Sequence, residues 1–208
     1  MPIRAIISDF GGVLVRTVDG SGRALWEERL CLPRGSLAGL VFESEVSMRA
    51  MRGQATEQEV WADVARRFHL SPDELLAFRH DFWRGDRLDE QLLDFFAGLR
   101  PRYRTAILSN AWDGARRVFE RLGLHRAFDL IIISAEEGVA KPDAPIYRLA
   151  AERLGVRPEE AILIDDLPAN VAGARAAGMH AVHFQDPDQA VGELQECLAI
   201  CQGSDPVV

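Results

Sequence analysis

The chain has 208 residues, of which 48% are hydrophobic and 27% charged, the balance of a globular protein with room for one domain and a modest insertion. Its formal net charge is −8. This charge argues against sequence-independent nucleic-acid binding, which needs clustered positive charge, but it does not exclude a small phosphate substrate.

The chain also lacks the marks of an oxidising compartment or a membrane. Three cysteines without a C-x-x-C spacing predict neither a disulfide framework nor a zinc site. The longest apolar run, DLIIISA, is too short to cross a bilayer, and the N-terminus lacks the layout of a signal peptide. We therefore expect a cytoplasmic protein, a monomer or homodimer, with disorder only in the final stretch CQGSDPVV.

The elements change character twice along the chain. Residues 1–15 contain a predicted strand and its loop, AIISDFGGVLV. Residues 16–87 show helical periodicity and no convincing strand, with capping boxes opening ATEQEVWADVARRFHL and SPDELLAFRHDFW. From residue 88 onward, helices alternate with the strands YRTAILSN, FDLIIISA, EAILIDD and HAVHF.

This alternation predicts an α/β fold with a Rossmann-like parallel sheet and helices on both faces. The core domain would comprise residues 1–15 and 88–208, and residues 16–87 would form an inserted all-helical cap domain. An insertion directly after the first strand loop is placed to act as a lid.

Polar side chains stand where the predicted strands end. They are Asp9, Ser109, Asn110, Lys141, Asp165 and Asp166. Taken singly, serine and asparagine often cap helices, and most lysines are solvated. Since ligands of open α/β sheets bind outside the carboxyl ends of the strands, we expect these residues to converge. Adjacent carboxylates would repel each other unless a cation lay among them.

Four of these segments resemble, in order, the motifs of the haloacid dehalogenase superfamily: DFGGVL, ILSN, KPD and LIDDLPANVAGARAAGM. The resemblance covers essentially the whole chain. Within the superfamily, the chain is similar to the branch called subfamily I, in which a helical C1 cap is inserted after the first motif. In the cap it extends only to helical character, size and the segment GQATEQEVW.

The resemblance implies catalytic roles for three side chains. Asp9 would be the nucleophile and form an aspartyl-phosphate, Ser109 would hydrogen-bond the transferring phosphoryl group, and Lys141 would neutralise negative charge. The implied substrate-binding residues are Ser109, Asn110, Gly11 and Gly12.

The same resemblance implies a Mg²⁺ site. Asp9, the main-chain carbonyl of Gly11 and Asp166 would be ligands, with Asp165 a direct or indirect one, and Asn170 would support the loops. A hard cation suits carboxylates together with phosphate oxygens. The implied partner is a small phosphorylated metabolite.

One expected acid is missing. Most phosphatases of the family carry an acid two residues after the nucleophile, and this chain has Gly11 there. General acid–base catalysis, worth about 10²–10⁴ in rate, is then lost. We favour a phosphatase whose substrate has a good leaving group, such as a sugar 1-phosphate or an acyl phosphate, because some helical-cap relatives with this glycine act on sugar phosphates.

Two alternatives stay open. A 2-haloacid dehalogenase needs no acid, since halide leaves without a proton, but the dehalogenases of the family carry a bulky aromatic residue at this position and need no metal. A low-activity protein that only binds a phosphometabolite or a partner is the other alternative.

Residues of the cap give few functional signals. Trp26, Trp61 and Trp83 are predicted to pack between the cap helices. His80 is expected at the surface or in packing, and His183 carries no site signal.

Overall fold

A computed structural model describes the backbone of residues 2–202 and the side chains of residues 2–200. The side chain of Cys201 and the final residues 203–208, where disorder was expected, lie outside this part. Within the described residues, no helix combines the length and apolar character needed to cross a membrane.

The described chain forms a five-stranded parallel sheet. Its strands are β1 (Ala5–Ser8), β4 (Arg104–Ser109), β5 (Leu130–Ile133), β6 (Ala161–Asp165) and β7 (His180–His183). Their order is β5–β4–β1–β6–β7, so β1 lies in the centre between β4 and β6. Because all five strands run parallel, their carboxyl ends meet along one edge.

Helices cover both faces of the sheet, which confirms the predicted Rossmann-like α/β class. They are α6 (Glu90–Leu99), α7 (Ala115–Arg121), α8 (Ser134–Glu137), α9 (Ala144–Leu154), α10 (Pro168–Ala176) and α11 (Pro187–Gln202). Along β1, Ile6 packs in one apolar cluster with residues of α6, α7 and α11, whereas Ala5 and Ile7 pack in a second cluster with residues of α9 and α10. We call the sheet and these helices the α/β unit.

The segment after β1 is largely helical, as predicted. Its helices are α1 (Ser21–Arg29), α2 (Leu37–Phe42), α3 (Glu45–Ala50), α4 (Glu57–Arg67) and α5 (Pro72–Trp83). Both expected capping boxes are present, at Thr56 before α4 and at Ser71 before α5. We call α1 to α5 the helical insertion; the exact domain boundaries stay a prediction.

The expectation of no strand in residues 16–87 was wrong at both ends of this segment. Two short strands, β2 (Val15–Thr17) and β3 (Asp86–Leu88), pair antiparallel and join the helical insertion to the α/β unit. The Thr17 hydroxyl donates a hydrogen bond to Asp86 at 2.6 Å across the ribbon. Strands of three residues are too short to show a period of two, so the sequence pattern could not reveal them.

The helical insertion has its own apolar core. Trp26 and Trp61 are each 2% exposed in it, as predicted, but Trp83 is 41% exposed, so its assignment to the core was wrong. Trp112 enters this core from the α/β unit, and its Nε1 donates to the Ser47 hydroxyl at 3.1 Å. Trp112, which lies shortly after β4 in the chain, therefore packs the α/β unit against the helical insertion.

Truncating Trp61 should strongly destabilise the protein. We expect Trp61→Ala to lower the free energy of unfolding by about 3–5 kcal/mol, because it removes a buried aromatic side chain and leaves a cavity. Urea denaturation followed by circular dichroism measures this loss. Trp83→Ala is the matched control and should cost clearly less, since that ring is partly solvated. Equal losses would contradict this account of the core.

Candidate active site

Three carboxylates meet at the carboxyl edge of the sheet. Asp9 directly follows β1, and Asp165 and Asp166 lie at the end of β6, the strand beside it. One carboxylate oxygen from each of the three lies within 4.8 Å of the others. Ser109 ends β4 on the other side of β1 and is buried. The structure thus brings together residues that are more than 150 positions apart in the sequence.

A buried lysine lies between two of these acids. The Lys141 Nζ is 2.9 Å from Asp9 Oδ1 and 2.5 Å from Asp165 Oδ2. The loop that carries Lys141 is fixed by Asn110, whose amide nitrogen donates to the Lys141 carbonyl and whose amide oxygen accepts from the Lys141 N–H, both at 2.8 Å. These bonds give Asn110 a loop-supporting role, and its contact with a substrate stays a prediction.

Asp165 has partners for both oxygens. Besides Lys141 at Oδ2, its Oδ1 accepts hydrogen bonds at 2.9 Å from the Leu167 N–H and from the Asn170 amide. The Asn170 carbonyl in turn accepts from the Tyr147 hydroxyl at 2.8 Å. Asp165 therefore orients Lys141 and the start of α10, and Asn170 supports that loop.

Asp166 differs sharply from its neighbour. Its Oδ1 is buried and has no hydrogen-bond partner within the described part of the chain. Its Oδ2 lies against Gly12, where an added Cβ would come within 2.2 Å, and Gly12 has a φ of +80°. A buried carboxylate oxygen without a partner is costly, and glycine alone permits this close approach. The unpartnered oxygen and the set of three carboxylates fit a hard divalent cation such as Mg²⁺.

One contact at this edge was missed by the sequence reasoning. The His183 Nε2 lies 3.0 Å from the Asp166 main-chain oxygen. His183 reaches it because β6 and β7 pair with Asp165 opposite His183. Only that strand register reveals the contact, so no local sequence signal could have shown it.

Comparison with known proteins settles the family. Residues 3–178, most of the chain, match the family of haloacid dehalogenase-like hydrolases. The chain belongs to this family. The family is one of hydrolases, and a phosphoserine phosphatase is among the relatives that this chain resembles.

Two curated relatives illustrate how this family member resembles known proteins. Bifunctional epoxide hydrolase 2 of Sus scrofa is 28% identical over 219 residues, 96% of this chain and 40% of that protein. Phosphoserine phosphatase of Thermus thermophilus is 39% identical over 105 residues, 44% of this chain and 41% of that protein. The alignments thus span about two fifths of the length of these relatives.

Solved structures of the family share the fold. A HAD family enzyme from Bacteroides thetaiotaomicron, in complex with magnesium and inorganic phosphate, superimposes with a TM-score of 0.73 at 18% identity, over 88% of this chain and 94% of that one. L-2-haloacid dehalogenase from Xanthobacter autotrophicus, with chloropropionic acid covalently bound, gives a TM-score of 0.64 at 26% identity, over 97% of this chain and 87% of that one.

Burial is the largest single influence on the pKa of Asp9, Asp166 and Lys141 in this site. It raises the pKa of Asp9 to about 7, and the Asp165 charge adds to this, while Lys141 and the Phe10 N–H act in the opposite direction. Burial and the Asp165 charge also raise the pKa of Asp166. Burial by itself lowers the pKa of Lys141, but Asp9 and Asp165 raise it above its ordinary value. When all three are ionised, the carboxylates carry more negative charge than one ammonium offsets, and a divalent cation would stabilise these ionised forms.

There is free space around Gly11, where the acid is missing. Gly11 is exposed, has no left-handed φ, and a Cβ added there would meet no atom within 4 Å. The site therefore has room for a side chain two residues after Asp9, where the chain has only a glycine.

Proposed function

We propose that this protein is a Mg²⁺-dependent phosphomonoester hydrolase that acts on a small phosphorylated metabolite through an aspartyl-phosphate on Asp9. The observation that carries the proposal is the unpartnered, buried Oδ1 of Asp166 beside Asp9 and Asp165. We further assign the chain to subfamily I, with the helical insertion as its C1 cap. The proposed setting is the cytoplasm, as a monomer or homodimer.

The first step is a displacement at phosphorus. The Lys141 ammonium and the Phe10 N–H hold Asp9 Oδ1, which orients Oδ2 for attack. The new Oδ2–P bond forms as the bond from phosphorus to the leaving oxygen breaks, and the leaving group departs with the bonding pair. Ser109 would donate a hydrogen bond to a phosphoryl oxygen, and Lys141 would offset the negative charge. Water then attacks phosphorus as the Oδ2–P bond breaks; the bonding pair returns to the Asp9 carboxylate, and inorganic phosphate leaves with the proton of the water, or passes that proton to solvent.

The residues that would hold Mg²⁺ are Asp9, Asp166 and the Gly11 carbonyl, with Asp165 acting through Lys141 and the α10 loop. When bound, Mg²⁺ supplies positive charge that neutralises the carboxylates and the phosphoryl oxygens. Phosphoryl transfer depends mainly on such positioning and charge neutralisation.

Gly11 restricts the substrate class. With no acid at this position, the leaving oxygen receives no proton from the chain here. The rate of hydrolysis falls least for esters whose alcohol leaves as a weak base, because these esters need the least general-acid assistance. We therefore propose a sugar 1-phosphate or an acyl phosphate as the substrate class.

A substrate panel tests the proposal against its alternatives. Phosphate esters and 2-haloacids are assayed with Mg²⁺ and with EDTA. We expect phosphate release that requires the cation and is fastest for good leaving groups. Halide release that resists EDTA would overturn the proposal in favour of a dehalogenase. Binding of phosphometabolites without turnover would instead favour the low-activity binding protein.

Gly12→Ala should weaken cation binding. The new methyl group would occupy the space of the Asp166 carboxylate and displace it. We expect roughly tenfold weaker Mg²⁺ binding or more by isothermal titration calorimetry, because one carboxylate ligand is moved.

Gly11→Ala is the matched control for this change. Its methyl group enters open space, so Mg²⁺ affinity should stay near that of the wild type. Unchanged affinity in a folded Gly12→Ala protein would count against Asp166 as a ligand.

A further inference from the structure

A wide groove lies where the helical insertion meets the α/β unit. Its volume is about 760 Å³, within the range of small-molecule sites. It is lined by side chains of α4, α5 and α7 and by the residue before α7, and by none of the residues of the candidate active site. The lining residues are Glu57, Arg79, Gly114, Arg117, Val118, Glu120 and Arg121.

Two arginines of this groove make no ion pair with any described residue. Arg117 and Arg121 lie one helical turn apart on α7, so they share a face of the helix. Both are exposed, and neither side chain makes an ion pair or a hydrogen bond with the side chains of residues 2–200 or the backbone of residues 2–202. Their neighbour Arg116, by contrast, pairs with Glu136 at 2.5 Å.

A third arginine faces them from the helical insertion. The Arg79 guanidinium lies 5.1 Å from the ring centre of Trp61, and its Nη2 is 3.1 Å from Glu57 Oε1. The same Glu57 oxygen accepts a hydrogen bond from the Trp61 Nε1 at 2.9 Å. Three arginines and two glutamates therefore line the groove, so its lining carries one net positive charge. One of the glutamates, Glu57, is already engaged, which leaves Glu120 as the other carboxylate.

We propose that this groove binds a small polyanionic metabolite that carries two or more phosphate or carboxylate groups. Guanidinium groups bind both kinds of anion in a bidentate manner, and two adjacent ones with no internal partner lose no ion pair on binding. Val118, 37% exposed between them, offers an apolar surface for the body of the ligand.

Such a ligand would join the two parts of the protein. Arg79 belongs to the helical insertion, whereas Arg117 and Arg121 belong to the α/β unit. Contacts between the parts lie next to the groove: the Glu57 N–H donates to Asp113 at 2.8 Å, and Trp112 reaches Ser47. An anion held by arginines from both sides therefore stabilises the position of the helical insertion that the structure shows, and acts as an effector rather than a substrate.

The test uses the whole, metal-free protein with pyrophosphate and citrate as separate probes. Isothermal titration calorimetry should detect binding of at least one of them, and the one that binds identifies phosphate or carboxylate as the recognised group. The Arg117→Gln/Arg121→Gln variant should bind at least about tenfold more weakly. Both arginines lie outside the candidate active site, so this variant should keep its basal turnover.

Arg104→Gln/Arg148→Gln is the matched control. It removes two exposed arginines that lie outside the groove and make no ion pair with other described residues. It should bind the probe as the wild type does. Hydrogen exchange should show added protection at the start of α4 and along α7. Binding by neither probe, equal losses in both double variants, or protection confined to the loops of Ser109 and Lys141 would each overturn the proposal.

Discussion

Asp9→Asn is expected to abolish phosphate ester hydrolysis, with a loss of roughly 10⁴-fold or more, as when a covalent nucleophile is removed. The amide cannot form the phosphoryl–enzyme bond on which the proposed reaction depends. Asparagine has nearly the same size, and the change removes one of three crowded carboxylates, so the fold should persist. Initial rates with a good leaving-group ester and Mg²⁺ measure the loss.

Asp188→Asn serves as the control for this substitution. Asp188 is an exposed residue at the start of α11 and is not one of the three clustered acids, so its replacement should leave the rate unchanged. Circular dichroism and thermal unfolding should show both variants folded. Activity retained by a folded Asp9→Asn protein would remove Asp9 from the role of nucleophile.

Gly11→Asp is expected to raise turnover of esters with poor leaving groups by as much as about 10²–10⁴, the usual range for general acid–base catalysis. The backbone at Gly11 suits an ordinary residue, and a Cβ there meets no atom within 4 Å, so the side chain can be accommodated. Rates for substrates with good leaving groups should change much less, because their leaving oxygen needs little protonation. The slope of log rate against leaving-group pKa should therefore become shallower.

Gly11→Asn separates proton transfer from simple filling of the space. It has nearly the same shape but cannot deliver a proton as an acid, so it should not reproduce the gain. If the two variants behave alike, or if a folded Gly11→Asp protein gains nothing on poor leaving groups, the explanation of Gly11 as a missing acid is wrong.

Most of the fold could be predicted because its signals are local. The capping boxes at Thr56 and Ser71 mark the starts of two helices, and both are present. Apolar runs such as AILI correspond to strands buried on both faces. The β2–β3 ribbon and the exposure of Trp83 could not be predicted, since each depends on how distant segments approach one another.

The position of the candidate site could also be predicted from the sequence, but the different surroundings of its acids could not. The rule that ligands gather at the carboxyl ends of parallel strands predicts that Asp9, Asp165 and Asp166 lie together, and the structure places them so. It could not distinguish the two adjacent acids, one with every oxygen engaged and the other with a buried oxygen left over. That difference arises from Lys141, Asn170 and Gly12, whose side-chain positions depend on tertiary packing.

Trp112 has a consequence for how such proteins diversify. Exchanging helical insertions between relatives is a natural route to new substrates, because the strands that carry the chemistry are left unchanged. Here the transplanted segment would have to provide a pocket for a ring that belongs to the recipient, three residues after Ser109. A graft limited to residues 16–87 would leave this indole without its cavity, so residue 112 must be exchanged together with the segment it enters.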